Sequence, residues 1–438
     1  MAEIHEILEK EGFECLNRAS GGFAAVHKVR NKKYNHVRAI KVILGDIESE
    51  NDNKYRTFLS ECKKLFRLSC SGHPNIVRIY RHMLIDSRAM VEMDYIKGDS
   101  LIGYLEKNNN FVPVDEVLKM LSDISSALAL CHVDIYKYCY DRERDKLKDD
   151  PNDARQVLID DETRQRLIKT YRIVHNDMHD RNVMRREDGT YILLDFGLAV
   201  TADEADRSSR IENGVDFFKA PEKWKGKPIT ASVDIYGLGV MLYEYLAGQL
   251  PFIFDGDRSN FEDRCAYMNK HCTENPKEIF PLRKHAYEKA HPGKTMDKPD
   301  YPQWLEDLIM KCLAKNPSDR YADGKELHDE VKGHLNCLWS EYHEILQRYN
   351  SLEKEFENYK IKDKCLDNAR ERDTTLKIKR LEKDLKVANE ELQRKDAQLR
   401  EALETIKLLT RQLQELNKDD DDVIELDVVN ILGKINKK

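Results

Sequence analysis

The 438-residue chain contains no C-x-x-C pair, no tight cluster of histidine and cysteine along the sequence, and nowhere a run of about twenty apolar residues. Its ten cysteines are scattered from Cys15 to Cys365, which reads as reduced cytosolic thiols and not as a disulfide framework. The opening MAEIHEILEKEGFECL spaces its charges too closely to hold the apolar stretch of a secretion signal. A soluble, cytoplasmic protein without a membrane partner is expected. Basic excess is also missing: 73 Lys and Arg stand against 80 Asp and Glu, a net charge of -7. That balance argues against a general nucleic-acid or anionic-surface binder, since such partners select a basic surface. What is plentiful is charge of both signs, 35% of residues beside 40% hydrophobic, enough for one large core and a second part of different character.

Glycine and proline are both absent between Gly333 and Gly433. In that stretch Ile378, Leu385, Leu392, Leu399, Ile406 and Leu413 recur every seventh residue, with Leu381, Ala388, Ala402, Leu409 and Leu416 at the companion positions. This is a coiled-coil seam, and a homo-oligomer, most simply a dimer, would cover it. An earlier series, Tyr342, Ile345, Tyr349, Leu352, Phe356 and Tyr359, has the same spacing in a frame displaced by one residue, which predicts a local irregularity. Lys395 in the seam keeps a lone charged helix as the alternative, and Glu391 opposite Asp396 of a parallel partner leaves antiparallel or heterotypic pairing open. An acidic run, NKDDDD, and an apolar VIELDVVNIL follow.

Before the seam the pattern is mixed. VHKVR and VRAIKVIL alternate as two strands of a hairpin, YRTFLSECKKLFRL carries Phe58, Cys62, Leu65 and Leu68 at helical spacing, and SGHPN supplies its stop. IVRIY and AMVEMDY read as further strands. From about residue 114 the reading is mainly helical, interrupted by the strand-like YILLDFGLAV.

The octapeptide HNDMHDRN, His175 to Asn182, concentrates the chemistry. Asp177 and Asn182 share this stretch and Asp195 follows a strand-like YILL, a set of oxygen donors suited to a hard divalent cation. Phosphoryl transfer needs such a cation against nucleotide phosphates and a separate carboxylate beside the acceptor hydroxyl. Taken alone, the same residues also suit ordinary turns.

The ordered motifs resemble the protein kinase family over roughly residues 12 to 335. Ala39-Ile40-Lys41 is similar to the strand motif whose lysine holds the phosphates, with Glu61 on the next helix before HPNIV as its partner. His175-Asn176-Asp177 stands for H-R-D, Asp195-Phe196-Gly197 is D-F-G, and Ala220-Pro221-Glu222 matches A-P-E. Asp234 matches the buried aspartate of a central helix, and Arg320 should pair with Glu222. The resemblance implies an α+β bilobal protein-kinase-like fold: an N-lobe of antiparallel strands plus a helix (about 1–96) and a mainly helical C-lobe (about 97–335). An insertion at about 134–171, a coiled coil at 336–417 and an acidic tail at 418–438 complete the expected organisation.

The implied activity is transfer of the ATP γ-phosphoryl group to serine or threonine of a protein substrate, with Mg2+ and with autophosphorylation favoured by self-association. Asp177 is the implied base, Lys41 with Glu61 positions phosphates, His179 assists, and Asn182 with Asp195 holds the metal. The nucleotide would be bordered by Gly21, Gly22, Val26, Ala39, Met93 and Met184, with the main chain of Asp94 and Ile96 reaching the base. Departures from the family pattern are Ala19 and Ala24 in the glycine-rich loop, Asn176 for arginine, His179 for lysine and Val215 for threonine. Because Asn176 cannot pair with a phosphate as arginine does, phosphorylation of Thr201, Ser208 or Ser209 is not expected to be the main on-switch. H-x-D-x-H-x-x-N also resembles aminoglycoside and choline phosphotransferases, so small-molecule transfer and an inert kinase-like scaffold are the rival functions.

Overall fold

The computed structural model describes residues 4–20, 24–43, 45, 47, 51–139, 160–201, 216–257, 260–335, 379–391 and 393–395. The chain divides into two compact units, 1–335 and 336–438.

The first unit opens with helix α1 (Ile4–Lys10) and strands β1 (Phe13–Ser20), β2 (Ala24–Asn31) and β3 (Val37–Ile43). Helix α2 (Asn53–Ser69), β4 (Ile79–Ile85) and β5 (Arg88–Asp94) follow. The five strands form one antiparallel sheet in the order β1-β2-β3-β5-β4. Alternation along each strand sends side chains to opposite faces. Ile40, Val42 and Met90 pack with Ile7 and Leu8 of α1 on one face. Ala89 and Val91 pack on the other with Phe58, Cys62, Leu65 and Leu68, the stripe predicted for α2. The Asp52 side chain caps α2 by accepting from the Lys54 N–H at 2.8 Å.

One strand departs from its sequence reading. IVRIY joins the sheet only from Ile79, because Ile76 and Val77 turn to the second lobe: Ile76 bridges Leu193, and the Val77 N–H donates to the Leu193 carbonyl at 3.0 Å. The apolar run is thus divided between two neighbours.

Short β6 (Gly98–Ser100), α3 (Leu101–Lys107) and α4 (Val114–Ala129) begin the C-lobe, α4 continuing through a π-helical turn at Leu130–Asp134. Then come α5 (Asp161–Tyr171), β7 (Ile173–Val174), β8 (Val183–Arg186), β9 (Tyr191–Leu193) and β10 (Val200–Thr201). YILLDFGLAV is therefore two short strands with the D-F-G turn between them. Helices α6 (Pro221–Trp224), α7 (Ser232–Ala247), α8 (Phe261–Thr273), α9 (Ile279–Ala290) and α10 (Gln303–Cys312) complete the described lobe before a last helical stretch at 324–335.

Every residue of α7 is buried, so this helix is the axis of the lobe. Its glycines allow neighbours to approach: a Cβ at Gly237 would stand 2.6 Å from the Cβ of Met178, and one at Gly239 2.7 Å from that of Cys312. Arg320 grips Glu222 through two parallel bonds of 2.7 and 2.8 Å, both side chains buried, as the family resemblance implied.

Of the expected insertion, α5 and residues up to 139 are described, and residues 140–159 lie outside the described residues. In the second unit, 379–391 and 393–395 are helical; the rest of the 336–417 seam, Asp396 and the acidic tail lie outside them. Among the described residues no helix is long and apolar enough to cross a membrane.

Candidate active site

Lys41 lies mid-strand in β3 and Glu61 on the inward face of α2, one helical turn before Leu65. Lys41 Nζ donates to Glu61 Oε1 at 2.7 Å and to Asp195 Oδ1 at 2.8 Å. Burial alone would lower the lysine pKa, but the charges of Glu61 and Asp195 and their hydrogen bonds raise it well above the usual range, so the amine stays cationic. Burial likewise acts to raise the Asp195 pKa, yet the attraction of Lys41, with a 3.1 Å hydrogen bond from the Gly197 N–H, brings it below the usual value. One ammonium faces two carboxylates, and the Asp195 side chain remains 44% exposed.

The second group is built on the 175–182 loop. Asp234 of α7 accepts from the main-chain N–H of both His175 and Asn176 at 2.7 Å, and from His132 Nε2 at 2.9 Å. Asn176 adopts a left-handed φ of 63°, a conformation asparagine tolerates better than most residues. Its amide donates to the Leu198 carbonyl at 3.0 Å. Asn182 Nδ2 donates to the main-chain carbonyl of Asp177 at 2.9 Å and to its Oδ2 at 3.1 Å. His179 Nε2 stands 3.4 Å from the same Oδ2. Its Nδ1 has two neighbours, the Arg181 N–H at 3.1 Å and Asp180 Oδ1 at 3.6 Å. Burial opposes protonation of this ring, but hydrogen bonds and charge from the two flanking carboxylates raise its pKa to about 9; the Arg181 N–H aimed at Nδ1 suits the neutral ring, so protonation requires that contact to turn away. Asp177 itself is lowered, since His179 outweighs the burial that would raise it.

The two groups are fastened together through the main chain beside Asp195. The Leu194 N–H donates to the Asn182 carbonyl at 2.7 Å, and His175 Nε2 donates to the Leu194 carbonyl at 2.7 Å. The His175 ring meets Phe196 edge-on, centroids 4.7 Å apart. Lys41, Glu61, Asp195, Asp177, His179 and Asn182 therefore belong to one connected network.

Around it, Val26 pairs with Lys41 and Ala39 with Met93 across the sheet. Val26, Ala39 and Lys41 thus share the α2 face, where Ala39 is buried and Val26 is 38% exposed. Met184 enters from β8, paired with Ser100, and both it and Met93 pack against the large core. Ile96 is buried. The Asp94 N–H already donates to the Arg78 carbonyl at 3.0 Å, so its carbonyl is the main-chain group it could offer a base. Gly21, Gly22, Val215, Ser208 and Ser209 lie outside the described residues.

Lys223 escaped the sequence reading. Its Nζ donates to the Asn176 carbonyl at 2.6 Å, and a small cleft lined by Asp177, Lys219 and Lys223 lies there. Burial depresses the Lys223 pKa to about 8 against the opposing pull of Asp177. The signal was the pair of lysines flanking Ala220-Pro221-Glu222, which spacing alone does not separate from surface charge.

The donor set suits a hard divalent cation. With Nδ2 of Asn182 committed to Asp177, its remaining side-chain atom is oxygen, and Asp195 adds an exposed carboxylate.

A strand lysine matched to a helix glutamate, joined to a loop aspartate and asparagine from a second lobe, is the arrangement of a two-lobed kinase-like fold. The family model for the protein kinase domain matches residues 19–139 and 166–332. The chain belongs to the protein kinase family, its resemblance to serine/threonine kinases of the eukaryotic type included. It is 30% identical over 287 residues to the serine/threonine-protein kinase PkaA of Streptomyces coelicolor, covering 64% of this chain and 40% of that protein. It is 26% identical over 294 residues to the probable serine/threonine-protein kinase PknB of Lactococcus lactis, covering 67% and 37%. For PrkC of Bacillus subtilis the identity is 25% over 315 residues, covering 71% and 38%. The chain thus spans about two fifths of the length of these curated relatives. The family implies ATP and a divalent metal, generally Mg2+ or Mn2+, and its kinases act on proteins.

Proposed function

We propose that the chain transfers the γ-phosphoryl group of ATP to serine or threonine of protein substrates, with Mg2+ as the metal. The observation that carries this reading is the pair of hydrogen-bonded groups, Lys41 with Glu61 and Asp195 and Asp177 with Asn182 and His179, fastened to each other by the Leu194 N–H on the Asn182 carbonyl next to Asp195. A divalent ion bound there would neutralise charge on the nucleotide phosphates. Asn182 and Asp195 would hold it. Lys41, kept cationic and aimed by Glu61, orients the phosphates, while Val26, Ala39, Met184 and Met93 flank the base and Asp94 and Ile96 offer it main-chain groups. Gly21 and Gly22 would let the backbone approach the phosphates. Asp177, kept ionised beside His179, accepts the hydroxyl proton and aligns the oxygen for attack. His179 adds a positive charge where phosphoryl oxygens would gather.

In the same reading, residues 1–335 form the catalytic domain, and the 336–417 seam pairs with a second copy, raising the local concentration of one kinase domain near another for autophosphorylation. The neutral Asn176, committed to Leu198, offers no cation to a phosphate on Thr201, Ser208 or Ser209, which supports activity independent of phosphorylation there. Incubation with γ-labelled ATP and Mg2+, followed by mass spectrometry, should place label on serine or threonine of protein. Label found only in small metabolites would overturn the reading, and phosphatase treatment that abolished activity would overturn the unphosphorylated-active part.

A further inference from the structure

On the sheet face turned away from Lys41, three residues remote in sequence converge. His5 of α1, Cys15 of β1 and His27 of β2 each bring a ligand-type atom within 4.8 Å of the others. Cys15 Sγ lies 3.8 Å from His27 Nδ1, and the rings of His5 and His27 meet edge-on with centroids 5.8 Å apart. His27 is completely buried; its Nδ1, the nitrogen facing Cys15, meets only the long contact to sulfur, and Nε2 has no hydrogen-bond partner. Neither ring nitrogen has a good hydrogen bond, a costly state for a buried ring, and Nδ1 is the one placed to share a ligand with Cys15. Phosphoryl transfer does not use these residues, and His5 and Cys15 precede the family match, which begins at residue 19.

We propose that His5, Cys15 and His27 form a binding site for a borderline-soft divalent transition ion, zinc being the ion that suits it. Tetrahedral zinc, with bonds of about 2.3 Å to sulfur and about 2.0 Å to nitrogen, sets its ligand atoms roughly 3.3 to 3.7 Å apart. The sulfur–nitrogen separation of 3.8 Å is already close to that spacing. The remaining closure falls to His5, which is exposed and sits in the first turns of a short helix. Two imidazoles and a thiolate leave a fourth position for water. Binding displaces the Cys15 proton to solvent. Glu9, whose charge adds to burial in holding that thiol above its usual pKa, offsets part of the positive charge of the loaded site. Magnesium prefers oxygen donors and would not compete. The ion would pin α1 to β1 and β2 near the register shift between Cys15 and Asn17.

The test uses the full-length chain, stripped with a chelator and then titrated with Zn2+ alone. Expected are one zinc bound per chain beyond what Cys15→Ser retains, protection of Cys15 from alkylation at the peptide level, and a raised unfolding temperature. His5→Ala, at an exposed position that folding tolerates, should weaken zinc binding by on the order of tenfold or more and keeps the test decisive if Cys15→Ser does not fold. Equal zinc affinity in wild type and His5→Ala, or Cys15 alkylated equally fast with and without zinc, would overturn the proposal. Neither readout depends on phosphoryl transfer, so the site stands or falls independently of the proposed activity.

Discussion

The two faces of the N-lobe sheet treat buried polar groups in opposite ways. On the α2 face Lys41 is matched by Glu61 and Asp195 at 2.7 and 2.8 Å. On the α1 face His27 is just as deeply placed and leaves one nitrogen unmet. A matched group is costly to alter because its partners are then stranded; an unmet group already carries that cost in the native state and has more to gain from an outside ligand or from removal.

The contrast can be broken from the matched side first. Asp177→Asn should lower transfer to protein by about 10²- to 10⁴-fold while nucleotide binding persists, measured by labelled-phosphate incorporation alongside equilibrium binding of ATP. Loss of both together would mean misfolding. Glu222→Ala strands the buried Arg320 and should cost about 3–5 kcal/mol in denaturant unfolding of the chain; a change under about 1 kcal/mol would place that pair with weak surface bridges.

A smaller effect is expected from pH. The folded pKa of His179 is raised from 6.5 to about 9. Its contribution is therefore fully present below about pH 6.5 and is lost as pH rises through 9, on the order of 3 kcal/mol at most. Glu244, raised to about 8, also loses stability with rising pH, whereas Lys223, lowered to about 8, gains it above that value. The difference between wild type and His179→Gln across pH 6.5 to 9 isolates the histidine, and parallel curves would refute the assignment.

The smallest effect should have the opposite sign. In metal-free protein, His27→Leu removes the unmet nitrogen and should stabilise by about 1 kcal/mol, read from denaturant midpoints. Destabilisation of similar size would show that the 3.8 Å contact to Cys15 outweighs the unmet group.

Much of the candidate site is legible in the sequence because its residues come in an order that chemistry and chain direction both constrain. Lys41, Glu61, Asp177, Asn182 and Asp195 were all named from motifs, and Phe58, Cys62, Leu65 and Leu68 marked the packed stripe of α2. Elements held by tertiary pairing were not. β7 and β10 are two-residue strands that pair with each other, too short for any period to register. Ile76 and Val77 were assigned to a strand because their apolarity reports burial without saying against which neighbour. His5, Cys15 and His27 form no cluster along the chain, since strand pairing and helix docking, not spacing, bring them together.

Asp234 holds the 175–182 loop through amide hydrogens, a feature every residue but proline possesses. Such a mooring is blind to side-chain identity. The side chains answer to other partners: the His175 ring bonds Leu194 and packs on Phe196, while the Asn176 amide bonds Leu198 from a left-handed backbone. The path of the loop is thereby set by the helix beneath it and not by the charge carried at position 176.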